Sequence, residues 1–278
     1  MDIIDDAEAL RLRMAEEGYL YLPGYLDRAE VLDVRRVMTR RLAEGGHLDP
    51  AHDPMEAIAH PDSGLTFKPD LALDNPEAHR LLYTGRMMAF YARLLGGEVR
   101  HYDFTWVRAV APGKGTPPHC DVVYMGRGTH RLYTSWTPIG DCGLDVGGLI
   151  VLENSHRHKK LLANYCQKDV DAWCANRRDA APTGLGEGGN IGRHGWLSKD
   201  PVSLRERLKG RWLTADYHAG DLVVFTVQTV HAGMDNRSAQ IRLSTDTRYQ
   251  LASEPVDERW IGPQPIAHGP EAKRGIIC

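Results

Sequence analysis

No apolar run in the 278-residue chain approaches the roughly 18 residues that a membrane-spanning helix needs, so a helical membrane protein is excluded. An excess of one charge is also missing. Lys and Arg number 34 against 37 Asp and Glu, a net charge of -3, and no global field draws the chain to nucleic acid or an anionic membrane. Cysteine is sparse. Cys120, Cys142, Cys166, Cys174 and Cys278 are odd in number and contain no CxxC pair, which excludes a zinc knuckle or a dithiol redox motif. They read as reduced thiols of a reducing compartment. The acidic Met-Asp-Ile-Ile-Asp-Asp start has neither the basic stretch nor the apolar core of a signal peptide, so a cytoplasmic protein is expected. There is no internal repeat, no Ser-His-Asp set and no paired-carboxylate signature. The glycines of 184–195 match no phosphate loop and follow no strand, which argues against nucleotide binding.

The residues that are present divide into two textures. Up to about residue 97 the pattern is helical: an amphipathic segment over 6–18, a second from Asp27 as N-cap to about 43, and a third over 76–95, with a strand at 18–23 and a Pro-, Asp- and His-rich loop over 47–75. From about 99 short β-like runs follow one another at 99–110, 119–125, 131–138, 148–153, 221–230 and 240–249, separated by turn residues. An insertion over about 156–215 carries expected helices at 161–178 and 201–210 and the glycine-rich loop with His194. The pattern predicts one domain over 1–278, mainly β with a helical layer: a double-sheet barrel over about 98–250 and a tail over about 251–278.

His119-Cys120-Asp121 falls in an expected strand, where alternation puts His119 and Asp121 on one face and Cys120 on the other. A lone His-x-Asp is common by chance, and a hydrogen-bonded surface pair is its ordinary meaning. The second half is more telling. Gly220-Asp221 opens an apolar strand that runs to His231, and a third ligand completes the two-histidine, one-carboxylate face that leaves iron(II) with open positions. Eleven residues on, Arg242 and Ser244 share a strand face and together suit one carboxylate. A buried arginine is expensive without an anion, and the distal carboxylate of 2-oxoglutarate is such an anion.

On these residues the chain resembles the phytanoyl-CoA dioxygenase-like branch of the iron(II)/2-oxoglutarate oxygenases. The resemblance covers nearly the full length, through "EEGYLYLPGYL", "HCD", "YTSWTPIGD…GGLIVLENSH" and, most specifically, "YHAGDLVVFTVQTVHAGMDNRSAQIRLS". It implies a double-stranded β-helix (jelly roll) and a catalytic iron held by His119, Asp121 and His231. It also implies 2-oxoglutarate and O2 as cosubstrates, with the former on Arg242, and places Thr134 and Trp136 in the cosubstrate pocket. The expected reaction hydroxylates a small organic molecule and releases succinate and CO2. Asp121 favours hydroxylation over halogenation, since related halogenases carry a small residue there. Where the family has Pro-Gly before the Ser-His of 155–156, this chain has Glu153-Asn154, a departure in a turn.

Weaker candidates surround this set. Arg248 continues the parity of Arg242 and either touches substrate or pairs with Asp246. Tyr124 either reaches the pocket or packs, and Lys68 is a candidate lid residue for substrate. The run His156-Arg157-His158-Lys159-Lys160 either meets an anionic substrate or is a solvated face. His101 and His130 read as structural or surface residues, and Trp173, Trp196 and Trp212 as packing groups. Two other classes stay open at this level: a cupin-like metal enzyme without 2-oxoglutarate, and a non-catalytic jelly-roll binding protein.

Overall fold

The computed structural model describes residues 3–176 and 195–278. The N-terminal layer runs α1 (Ala7–Glu17), β1 (Tyr19–Leu22), α2 (Arg28–Glu44), α3 (Pro76–Tyr83) and α4 (Gly85–Leu95). Asp6 and Asp27 start α1 and α2 by accepting from the backbone N–H groups two and three residues on. Gly18 ends α1 in the left-handed conformation, φ 77°. The helix expected over 76–95 is two helices, because Thr84 is extended and Gly85 has φ +52°. Apolar Leu81, Leu82, Met87 and Phe90 continue across this break, so the sequence pattern hides it.

The core follows as β2 (Val99–His101), β3 (Trp106–Val110), β4 (Thr116–His119), α5 (Val122–Met125), β5 (Tyr133–Pro138) and β6 (Leu149–Leu152). Next come α6 (Lys159–Ala163), β7 (Ala172–Cys174), α7 (Pro201–Leu208), β8 (Trp212–Leu213), β9 (Leu222–Thr226), β10 (His231–Gly233), β11 (Arg242–Leu251) and β12 (Arg274–Ile276). Two antiparallel sheets form the double-stranded β-helix. The larger has the order β1-β9-β5-β11-β2 with β3 also on β11, and the smaller has the order β4-β10-β6-β8. Helices α2 and α4 cover the outer face of the larger sheet, where Val34, Met38, Phe90 and Tyr91 pack on Val224, Leu243 and Tyr249. Between the sheets, Trp136 and Phe225 of the larger meet Leu149 and Val151 of the smaller. Strand β11 is therefore buried on both faces: Leu243 and Tyr249 meet the helices, while Arg242, Trp136's neighbour Asp246, and Arg248 face the interior.

Several local expectations are corrected. The run 99–110 is two strands, and 119–125 is the end of β4 followed by α5. The run 221–230 stops at Thr226, and after a turn His231 opens a strand of the other sheet. The helix expected over 161–178 is the short α6, a 3-10 turn and β7, because β7 pairs in parallel with β12 from the tail. A tertiary partner here overrides a local helical pattern. The same pairing sets Ile276 opposite Cys174, and Cys174 is disulfide-bonded to Cys278 across a sequence separation of 104. The expectation of five reduced thiols is thus corrected; Cys120, Cys142 and Cys166 are free and buried. The glycine-rich loop through His194 lies outside the described residues.

Candidate metal centre and its two cavities

Strands β4 and β10 pair with His119 opposite His231, which brings the two imidazole centroids to 4.3 Å. Asp121 lies past the end of β4 with helical backbone angles, so strand alternation is not what aims it. The turn into α5 does that. Its Oδ1 lies 3.8 Å from Nε2 of His119 and 3.7 Å from Nε2 of His231. One ligand atom from each of the three residues falls within 4.8 Å of the others, and all three are buried.

The surroundings decide which atoms face inward. Nδ1 of His119 bonds the Pro117 carbonyl at 2.8 Å and Nδ1 of His231 bonds the Thr229 carbonyl at 3.0 Å. A carbonyl only accepts, so both Nδ1 atoms carry the proton and both Nε2 lone pairs are turned to the shared centre. Burial lowers the His119 pKa to about 3, assisted by the neighbouring His231, which keeps that lone pair free at neutral pH. Oδ2 of Asp121 accepts from Thr134 Oγ1 at 2.6 Å and Arg248 Nη2 at 2.9 Å. Burial pushes the Asp121 carboxyl up, but Arg248, the two histidines and the Thr134 hydrogen bond together outweigh it and hold the group below the usual carboxylate range.

Two cavities open on this centre. The inner one, about 20 Å³, is lined by His231, Trp136, Arg242, Gly233 and Asp246 among others. Arg242 is fully buried there, its Nη1 donates to the Gly147 carbonyl, and its Nε has no partner among the described residues. Burial depresses its pKa, and the smaller pull of Asp246 does not offset it. Gly233 keeps the approach open: a Cβ there would lie 3.1 Å from Arg242 Nη1. Ser244 Oγ is likewise buried without a partner on the same strand face, although Ser244 does not border this cavity. Two neutral imidazoles and a carboxylate suit iron(II), and an orphaned guanidinium beside them suits a carboxylate of 2-oxoglutarate, so the residues fit both groups.

The outer cavity, about 560 Å³, reaches His119, Asp121 and Arg248 and shares Arg108, Thr116 and His119 with the inner one. Its walls are aromatic, with Phe104, Trp106, Trp260 and Tyr124 among them. Arg248 lies with its guanidinium carbon 4.0 Å from the Trp106 ring centre, and its Nε and Nη1 are buried without partners among the described residues. Of the two alternatives for Arg248, the pair with Asp246 is not formed: Asp246 accepts from Arg108 Nε at 3.2 Å instead. Arg108 borders both cavities.

The remaining candidates sort plainly. Thr134 bonds Asp121 and does not line the inner cavity, whereas Trp136 does. Tyr124 lines the outer cavity, edge-on to His119 at 5.5 Å. Lys68 pairs with Asp70 at 2.8 Å and borders neither cavity, while the adjacent Thr66 and Phe67 line the outer one. The run 156–160 stays outside the site: His156 bonds the Ala15 carbonyl and His158 caps α6. Trp196, read as a packing group, walls the outer cavity. Asn154 takes φ +59°, the left-handed turn that Gly would supply in the Pro-Gly pattern. Sequence reasoning missed Arg108, Trp260 and His268; only Arg108 left a signal, a charge inside the apolar strand Trp106–Val110.

This fold and centre define an iron(II)/2-oxoglutarate-dependent oxygenase. Residues 14–244 match the model of the phytanoyl-CoA dioxygenase (PhyH) family, and the chain belongs to that family. It is 26% identical over 292 aligned residues to a 1-deoxypentalenic acid 11-beta-hydroxylase of Streptomyces exfoliatus, an alignment covering 99% of this chain and 92% of that one. The fold is similar to the epimerase SnoN of nogalamycin biosynthesis, solved with Fe3+, alpha-ketoglutarate and nogalamycin RO (TM-score 0.60, 20% identity, 93% and 92% of the two chains). It is also similar to EctD of S. alaskensis, solved with 2-oxoglutarate and 5-hydroxyectoine (TM-score 0.61, 17% identity, 96% and 84%). Among the described residues no helix is long and apolar enough to cross a membrane.

Proposed function

We propose that the enzyme hydroxylates a small, largely apolar organic acid, with His119, Asp121 and His231 as the iron ligands and Arg242 as the anchor of 2-oxoglutarate. The observation that carries this reading is the convergence of two Nε2 atoms on one Asp121 oxygen at 3.7 and 3.8 Å, with two cavities bordering the centre. When bound, iron and 2-oxoglutarate supply the oxidising power through O2-dependent decarboxylation to succinate. The chain's own residues do the rest. Arg242 holds the distal carboxylate, with the unpartnered Ser244 hydroxyl on the same strand face, and Gly233 and Trp136 shape its slot. Arg248 and Thr134 occupy Asp121 Oδ2, which leaves Oδ1 alone for the metal. Phe104, Trp106 and Trp260 present a C–H bond against aromatic walls and supply no proton-transfer group, as a hydrogen-atom abstraction requires none.

Charge favours an anionic substrate. Iron(II) and the guanidiniums of Arg108, Arg242 and Arg248 face the carboxylates of Asp121 and Asp246 and the dianionic cosubstrate, which leaves one net positive charge. Such an excess in a low-dielectric pocket is relieved by one substrate carboxylate on Arg108 and the free edge of Arg248. The Streptomyces relative, by its name, also acts on an acid. Ferrous iron and 2-oxoglutarate are supplied inside cells, so we place the enzyme in the cytoplasm, where Cys174–Cys278 is a reducible crosslink.

The test is a panel of apolar carboxylic acids and their methyl esters, supplied with 18O2, iron(II) and 2-oxoglutarate. Succinate formed together with an 18O-labelled hydroxy acid supports the reading. Esters that react as well as acids overturn the anionic part, and oxidation without succinate favours a cupin-like enzyme.

A further inference from the structure

The tail after β11 returns to the outer cavity and delivers Trp260, Ala267 and His268 to its wall, beyond the end of the family match at residue 244. His268 is not held there by packing alone. Its Nδ1 lies 2.8 Å from Oδ2 of Asp171, whose carboxylate is fully buried and also accepts from Arg259 and Lys273. Arg259 in turn pairs with Asp257 and Asp169, and Arg127 with Asp169, so the carboxylate sits in a saturated network. Burial pushes the Asp171 carboxyl up, but the contacts from His268, Lys273 and Arg259 outweigh it and hold the group below the usual range. An ionised carboxylate only accepts, so Nδ1 of His268 carries the proton. The ring is fixed on two further sides, edge-on to Tyr124 at 5.8 Å and to Trp260 at 4.9 Å. In the neutral ring Nε2 then keeps its lone pair, and among the described residues no group hydrogen-bonds it. Tyr124 also meets His119 at 5.5 Å, so His268 stands one aromatic ring away from the metal centre.

We propose that His268 is a specificity-determining residue whose Nε2 accepts a hydrogen bond from a hydroxyl on the substrate, at the end of the molecule remote from the metal, with Asp171 as the residue that fixes its tautomer. This rests on the reading of the outer cavity as the substrate site. The substrate class is then an apolar acid with a second oxygen group: the carboxylate on Arg108 and Arg248, the hydroxyl on His268, and the apolar body against Trp106, Tyr124 and Trp260. The His268 side chain is 18% exposed, and a substrate that fills the pocket displaces water from Nε2, so an analogue without the hydroxyl leaves that nitrogen unpaired, which is how one hydrogen bond discriminates between substrates.

The test uses the whole protein loaded anaerobically with iron(II) and 2-oxoglutarate, read by the visible charge-transfer band of the complex. The probes are decanoate and 10-hydroxydecanoate, which differ by one hydroxyl. Wild type is expected to bind the hydroxy acid at least about tenfold more tightly, the size of a single well-placed hydrogen bond. His268→Phe is expected to keep the band and abolish the difference. His268→Gln, whose amide reaches the Nε2 position, is expected to restore part of it. Nitrogen-15 spectra of the His268 ring provide a second readout: a protonated Nδ1, with the Nε2 resonance moved by 10-hydroxydecanoate and not by decanoate. Equal binding of the two probes, binding of neither, or a preference that survives His268→Phe overturns the proposal. A missing band in wild type is a different failure. It overturns the iron and cosubstrate reading, and this proposal with it.

Discussion

Arg248 donates to Oδ2 of Asp121 at 2.9 Å, and this is the carboxylate oxygen that the two histidines do not approach. Both side chains are 2% exposed, and the guanidinium is backed by the face of Trp106. One oxygen of Asp121 is therefore spoken for by protein, and the other is turned to the centre. A buried pair of this kind adds little net stability but is costly to break from one side. It is better understood as a device that orients a ligand.

Arg248→Met should accordingly weaken iron(II) binding by about 10–100-fold, the range seen when outer-shell partners of metal ligands are removed. Thr134→Val should weaken it less, because Arg248 still holds the same oxygen. Isothermal titration with iron(II) under nitrogen measures both. Unchanged affinity in Arg248→Met would show that the turn into α5 alone aims Asp121.

Arg242→Ala removes the guanidinium that lines the inner cavity alone and should raise the Kd for 2-oxoglutarate by at least about 30-fold, as loss of a buried charge partner does. Iron(II) affinity without cosubstrate should stay within about threefold of wild type. Arg242→Lys should recover little, since an ammonium lacks the two-pronged geometry. A parallel loss of iron binding would mean that Arg242 holds up the fold.

Stability should fall in acid through Asp171. Its folded pKa lies below the ordinary 3.8, so its contribution is complete above that value. Below 3.8 the unfolded chain takes up a proton that folded Asp171 still refuses, and the contribution is gone once pH has dropped through the folded pKa. Thermal melts between pH 5 and pH 2 should give a shallower decline below about pH 4 for Asp171→Asn than for wild type. Parallel curves would assign the acid sensitivity to other groups.

Cys174→Ser should lower the melting temperature of oxidised protein and remove its response to dithiothreitol. Disulfides typically contribute about 2–4 kcal/mol, mainly by restricting the unfolded state, and a span of 104 residues favours the upper end. An oxidised wild type that melts at the same temperature with and without reductant would contradict it.

The two-sheet core and the converging positions were readable because each rests on a local rule. Period-two parity along β11 put Arg242, Ser244, Asp246 and Arg248 on one face, and the structure keeps that face inward. Asp121 converges for a reason other than strand alternation, since a turn and not a strand aims it. What stayed hidden depends on distant partners. Arg248 could be placed inside, but its choice of Asp121 over Asp246 is settled by Arg108 on a neighbouring strand. β7 is a strand only because the tail pairs with it, and the same pairing joins Cys174 to Cys278. His268 sits in an aperiodic tail, so nothing in its own neighbourhood announces a contact with Asp171, 97 residues earlier.

The most direct test of the account is an anaerobic titration of iron(II) and 2-oxoglutarate into wild type, His119→Ala and Arg242→Ala, following the visible charge-transfer band. The expected result is a band in wild type, none in His119→Ala, and one in Arg242→Ala that needs far more cosubstrate. Wild type that binds iron but shows no band at any 2-oxoglutarate concentration would contradict the assignment of these residues.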